Sequence, residues 1–283
     1  MKNLTKRMTQ IVGALAVVIA ACSAGSSAQA ESTWDAIQDR GTLRLGVTQS
    51  PPWYSKDARS GEWTGGLGVS IGKNMAETLG VELEPVEVTW GTAIAALEAD
   101  KIDIMFVMDA TPARAMVVDF PKQPLLYISL AVLANDGVDA STWKALDKPE
   151  IKIAVPQATS MDDFLTRNVP NADIQRFPDN ATAIAAFQSG RVDAVSLFHP
   201  PLLSAWQKLG RGQVVIPTPA FSSPSSAAVR REDDKTFRDW VDNTIFYYYE
   251  TGRTQRWYEE FLADFGLDPA KSPPIQRELL FKQ

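Results

Sequence analysis

One pattern of twelve residues occurs twice in this chain. Thr92-Ala-Ile-Ala-Ala-Leu-Glu-Ala-Asp-Lys-Ile-Asp103 and Thr182-Ala-Ile-Ala-Ala-Phe-Gln-Ser-Gly-Arg-Val-Asp193 are offset by 90 positions. Each reads as an alanine-rich amphipathic helix, a tight turn and then an apolar strand. The strands that follow are Ile104 to Val107 and Ala194 to Phe198. Two equivalent helix–strand units predict two similar lobes, with one unit in the corresponding place of each.

The remaining pattern agrees. Strands are expected at Leu43 to Val47, Glu82 to Val88 and Ile151 to Val155, with helices at Leu67 to Leu79 and Met161 to Asn168. Such alternation implies parallel sheets with helical crossovers, an α/β fold. The apolar run Leu125 to Ala134 is a candidate crossover between lobes, and the chain should return near Ile216 to Phe221, punctuated by Pro217 and Pro219. Lobe 1 would then be residues 31–126 plus 220–283, and lobe 2 residues 127–219. Asp234 to Phe265 reads as amphipathic helix with Trp240, Phe246, Trp257 and Phe261 buried.

The first 30 residues read as an export signal. Lys2, Lys6 and Arg7 precede an apolar core from Ile11 to Ala21, and Ala28-Gln-Ala30 is a small-x-small cleavage site. That core is too short for a span, which needs roughly 18 apolar residues. Cleavage after Ala30 would deliver a periplasmic protein; Ile19-Ala-Ala-Cys22 also fits a lipobox, which would leave a lipoprotein anchored at Cys22. Cys22 is the single cysteine, so the body after Glu31 has no disulfide, thiol nucleophile or cysteine metal site. Removing residues 1–30 takes away three cations and no anions, moving the formal charge from −6 to −9. An acidic body gains nothing from counterion release on a polyanion, which argues against nucleic acid as a partner. One histidine and no body cysteine argue against a zinc site. Gly65-Gly-Leu-Gly-Val-Ser-Ile-Gly-Lys73 misses both glycine-rich nucleotide-binding spacings. No cofactor is implied.

In open sheets of this class ligands sit beyond the carboxyl ends of the strands. Two segments lie there, Asp109 to Arg114 after the first repeated strand and Phe198-His199 after the second. Arg114 stands in a turn broken by Pro112, and a guanidinium holds a carboxylate through two parallel charge-assisted hydrogen bonds. Ser160-Met-Asp-Asp163 is a capping-box pattern, so a helix should begin at Ser160 and offer open N–H groups to an anion.

Lys101 to Phe120, with its Asp–strand–Thr111-Pro-x-Arg114 pattern, resembles the carboxylate-binding segment of the family 3 extracellular solute-binding proteins, the receptors of polar amino-acid ABC importers. Gly41 to Val47, Val155 to Ser160 and Ala228 to Asp233 match further segments of the lysine/arginine/ornithine- and glutamine-binding receptors, in the right order. The resemblance implies a two-lobed, type II periplasmic-binding fold, each lobe an open, mainly parallel sheet flanked by helices, with the ligand in the cleft. It implies a monomer that binds a small carboxylate-bearing solute and docks on a permease in the inner membrane, without catalysis. Arg114 matches the arginine that clamps the ligand carboxylate, Thr159 and Ser160 match donors from the other lobe, and Thr111 belongs to the same segment. Trp53, after Pro51-Pro52, and Trp90 match the walls around the ligand side chain.

The departures concern the ligand's amine. Where the family carries a carboxylate after the second-lobe strand, this chain has Phe198, followed by its only histidine, His199. Val107 and Asp109 replace the usual lobe 1 serines. Asp109 could take the amine instead. Otherwise the solute is an amine-free carboxylate, or a methylated or cyclic amine held against Trp53, Trp90 and Phe198 by cation–π contact. Cyclohexadienyl dehydratases also look like this family, and Asp109, His199 and Arg114 could in principle do acid–base work.

Overall fold

Why the two repeated segments fold alike is visible at their last residue. Asp103 accepts the backbone N–H of Arg44 at 2.7 Å, and Asp193 accepts that of Lys152 at 2.9 Å. Each aspartate thereby ties the start of its own strand to the neighbouring parallel strand. Before the strand, Asp100 and Gly190 take the same left-handed turn conformation, with φ of 54° and 72°. At the front of each helix, Thr89 with Thr92 and Asp179 with Thr182 exchange backbone-to-side-chain hydrogen bonds. The two units share their turns and their anchors as well as their letters.

The structure is a computed structural model that describes residues 31–277; the export signal and the lipobox at Cys22 lie outside the described residues. In chain order the elements are α1 (Thr33–Arg40), β1 (Thr42–Val47), β2 (Ser55–Lys56), β3 (Trp63–Gly65), α2 (Leu67–Leu79), β4 (Glu82–Glu87), α3 (Ala93–Glu98), β5 (Ile104–Asp109) and β6 (Val118–Asp119). There follow β7 (Leu126–Ala134), α4 (Trp143–Leu146), β8 (Lys152–Pro156), α5 (Ser160–Asn168), β9 (Asp173–Phe177), α6 (Asn180–Gln188), β10 (Ala194–Phe198) and α7 (His199–Leu209). The chain closes with β11 (Gln213–Val215), β12 (Ser222–Arg230), α8 (Thr236–Glu250) and α9 (Arg253–Asp264).

The main sheet runs β4-β1-β5-β12-β7-β10-β8-β9. Its two halves mirror each other. In one, β4, β1 and β5 are parallel and β12 returns antiparallel against β5; in the other, β9, β8 and β10 are parallel and β7 returns antiparallel against β10. The repeated units supply α3–β5 and α6–β10, which hold the same place in each half. The halves meet where Leu126 to Ser129 of β7 pair with Ser222 to Ser225 of β12. The fold is α/β, with mainly parallel sheet flanked by helices, as the alternation predicts.

The β5–β12 ladder carries a bulge that shapes the carboxyl end of β5. The register shifts between Ser226 and Ala227, so Val107 is skipped, and it sits at φ 61°. A β-branched residue at positive φ is a true outlier. It is held from behind: the buried Tyr54 hydroxyl donates to the Phe106 carbonyl and accepts from the Phe106 N–H, both at 3.0 Å. Tyr54 lies against Gly68, where a Cβ would come within 2.3 Å of its ring.

Two local expectations need correction. The cap of α5 is Thr159, whose hydroxyl accepts the Asp162 N–H at 3.2 Å, not Ser160. The Thr-Ser pair offers two capping hydroxyls, and the strand geometry selects the first. The aromatic stripe of the C-terminal helices is only partly buried. In α8 the buried positions are Phe237, Val241, Ile245 and Tyr248, spaced as one helical face. Phe246, one residue past Ile245 and so about 100° round the helix, is 47% exposed. Trp240 and Trp257 are half-buried, while Phe261 is buried. The return strand, β12, runs from Ser222 to Arg230, after the Pro217–Pro219 segment.

Candidate functional site

At the carboxyl ends of β5 and β10 lies a small cavity, of about 30 Å³, between the two halves of the sheet.

The polar floor comes first. Arg114 opens a short 3₁₀ turn after β5, with Thr111 beneath it: the Thr111 hydroxyl accepts the Arg114 N–H at 3.3 Å. Thr111 positions that turn and is not in the cavity wall. The guanidinium lines the cavity, and its Nη1 donates to the Asp109 carbonyl at 3.2 Å. Its other N–H donors have no protein acceptor among the described residues. Burial pushes its pKa below the ordinary value, and the charges of Asp109 and Asp163 pull the other way. A guanidinium stays charged regardless, so a half-buried cation here favours an anion beside it.

Across the cavity, the N-terminus of α5 supplies Thr159, Ser160 and Met161. Because Thr159 does the capping, the Ser160 hydroxyl is released to donate to Asp109 Oδ2. Asp109 Oδ1 accepts the Ser225 hydroxyl of β12 at 2.6 Å. The carboxylate is thus fixed by hydroxyls from both sides of the cavity. Ser225 of β12 is paired in register with Asp109 of β5. Sequence reasoning missed it, because the register of β12 decides which of its serines meets Asp109.

Aromatic and apolar groups form the walls. Trp53 and Trp90 both line the cavity at 2% and 7% exposure. Trp53 also stacks on Tyr258 at 6.3 Å, and Trp90 tilts against Tyr54 at 6.2 Å. Phe198 lines the cavity from the end of β10, with Val107 and Met108 facing from β5. His199 is not in the wall. It begins α7, fully buried, with Nδ1 accepting the Ser129 N–H at 3.2 Å. Burial keeps it neutral and lowers its pKa to about 4.

Asn180, at the start of α6, was not anticipated. Its Nδ2 donates to the buried Ser50 hydroxyl at 2.6 Å, joining the two sides of the cavity. The signal was present: the 90-residue offset maps Trp90 onto Asn180 and Met108 onto Phe198, and all four line the cavity.

Fold and site define a binding protein for a small solute. The chain belongs to the bacterial extracellular solute-binding proteins, family 3, whose sequence model matches residues 43–264. It is similar to the L-cystine-binding protein TcyJ of Escherichia coli K12, 24% identical over 92% of this chain and 96% of that one. It is also similar to the cyclohexadienyl dehydratase of Pseudomonas aeruginosa, 24% identical over 90% and 96%. Among solved structures, the ancestral amino acid-binding protein AncCDT-1, a precursor of cyclohexadienyl dehydratase, superposes with a TM-score of 0.73 and 32% identity, over 81% of this chain and 99% of that one.

Proposed function

We propose that this protein is the substrate-binding component of an ABC importer and captures a small carboxylate-bearing solute, an amino acid or a derivative of one. The observation that carries this reading is Arg114: a half-buried guanidinium with open donors in the cavity, facing the N-terminus of α5. Both features attract a carboxylate, and they lie on opposite sides of the cavity. A solute held by both would draw lobe 1 (residues 31–126 plus 220–283) and lobe 2 (residues 127–219) together, shifting the open–closed equilibrium. The closed form would dock as a monomer on its inner-membrane permease. Residues 1–30 would direct export to the periplasm with cleavage after Ala30, or lipidation would retain the protein at Cys22.

Asp109 is the one acidic group in the cavity wall, so it is the holder for an amine if the solute carries one. Thermal-shift titration of the purified protein with amino acids and with their deaminated analogues tests the reading. Stabilisation by carboxylates, lost in Arg114→Gln, supports it; indifference to every carboxylate refutes it.

The dehydratase relative favours one alternative, catalysis on the same fold. His199 weighs against it, since it lies behind the wall and is held neutral by burial. Turnover of prephenate or arogenate, abolished by Asp109→Asn, would reverse this preference.

A further inference from the structure

Two polar groups in the cavity wall are buried without a partner. Trp90 Nε1 and the Asn180 carbonyl oxygen have no hydrogen-bond partner among the described residues, at 7% and 4% residue exposure. Both residues line the cavity, at positions equivalent under the 90-residue offset. Buried polar groups are normally satisfied, and one left open in a binding cavity asks for a matching group on the ligand. The indole N–H can only donate, so it requires an acceptor. The Asn180 amide is anchored at one end by Ser50; its open end requires a donor. Exchanging the two ends of the amide would ask for an acceptor instead, which the same ligand group supplies.

Charge narrows the class. Arg114 and Asp109 are the only ionisable residues in the wall, and they carry opposite signs. Once Arg114 holds the solute carboxylate and Asp109 any amine, no ionic partner remains for a charged side chain.

We propose that Trp90 and Asn180 form a second polar subsite, which takes an uncharged group able both to accept and to donate a hydrogen bond: a hydroxyl or a carboxamide on the carboxylate-bearing solute. This rests on the carboxylate reading above and adds the identity of the solute's other end. The solute is then a hydroxy or amide acid, with or without an amine, and not a basic, acidic or wholly apolar one.

Isosteric pairs test it by calorimetric titration of the purified protein, freed of co-purified small molecules. The pairs are threonine against valine, asparagine against leucine, and 3-hydroxybutyrate against 3-methylbutyrate, with lysine and glutamate as charged probes. The polar member of at least one pair should bind on the order of tenfold more tightly or better. Trp90→Phe, which keeps an aromatic wall but removes the indole N–H together with its five-membered ring, should erase that preference. Asn180→Leu should do the same and stands in if Trp90→Phe fails to fold. Equal binding within every pair, or a preference unchanged in both variants, overturns the subsite while leaving the carboxylate reading intact. Tightest binding of lysine or glutamate also overturns it. Binding of no carboxylate at all overturns both.

Discussion

Acid should weaken this fold through one imidazole. His199 is buried at the start of α7 with Ser129 donating to its Nδ1, and burial lowers its pKa from 6.5 to about 4. The folded value lies below the unfolded one, so as pH falls the unfolded chain takes up the proton first. Stability is therefore complete above about pH 6.5 and is lost between there and about pH 4. At about 1.4 kcal/mol per unit, the loss approaches 3 kcal/mol by about pH 4, with roughly 2 kcal/mol gone by about pH 5. For a body of this size that is about 6–12 °C in Tm. Scanning calorimetry from neutral pH down to pH 4 on the wild type and on His199→Asn would measure it. The asparagine oxygen can still accept the Ser129 N–H but cannot titrate. Carboxylates protonate in both proteins, so the difference between the two Tm curves isolates the histidine. The wild type should lose about 6–12 °C more than the variant. Parallel curves would refute the argument, because a histidine that titrates normally contributes no such slope.

Arg114→Gln should cost about 3–5 kcal/mol of carboxylate binding, at least a hundredfold in Kd by calorimetric titration, since it removes two charge-assisted hydrogen bonds. Asp109→Asn should weaken α-amino acids about tenfold or more while sparing deaminated analogues; equal losses in both classes would end its role as amine holder. Tyr54→Phe should destabilise the fold by about 2–4 kcal/mol in urea unfolding, because both backbone groups of Phe106 lose their buried partner.

The repeated segment shows how far sequence reaches. Its pattern announced two similar halves, and the offset itself, carried two residues upstream of Thr182, points at Asn180. The bounds of α2 and β10 follow directly from apolar periodicity and turn residues. What escaped depends on registers and choices between near-equivalents. Thr159 and Ser160 are both competent caps, and only the path out of β8 decides that Thr159 does the capping while Ser160 meets Asp109. Ser225 is one serine among four in Ser222 to Ser226, and pairing across the β5–β12 bulge determines which faces the carboxylate. Phe246 looks like core by composition, yet a rotation of one residue on α8 turns it to solvent. His199 aligns with Asp109 under the same offset, but Pro200 and Pro201 start a helix there and carry the imidazole behind the wall.

The Tyr54 clamp on Phe106 bears on how such a receptor changes its preferences over time. The conformation of Val107, in the wall, is maintained by a phenol that touches no solute and by the bare backbone of Gly68 on which that phenol rests. Variants at these hidden positions would tilt the end of β5, and with it Asp109 and Arg114, without altering any wall residue. A laboratory selection for new solutes on this scaffold should therefore recover changes at Tyr54 and Gly68 alongside changes at Trp90 and Asn180. Designers who vary the lining alone would be sampling only half of what sets its shape.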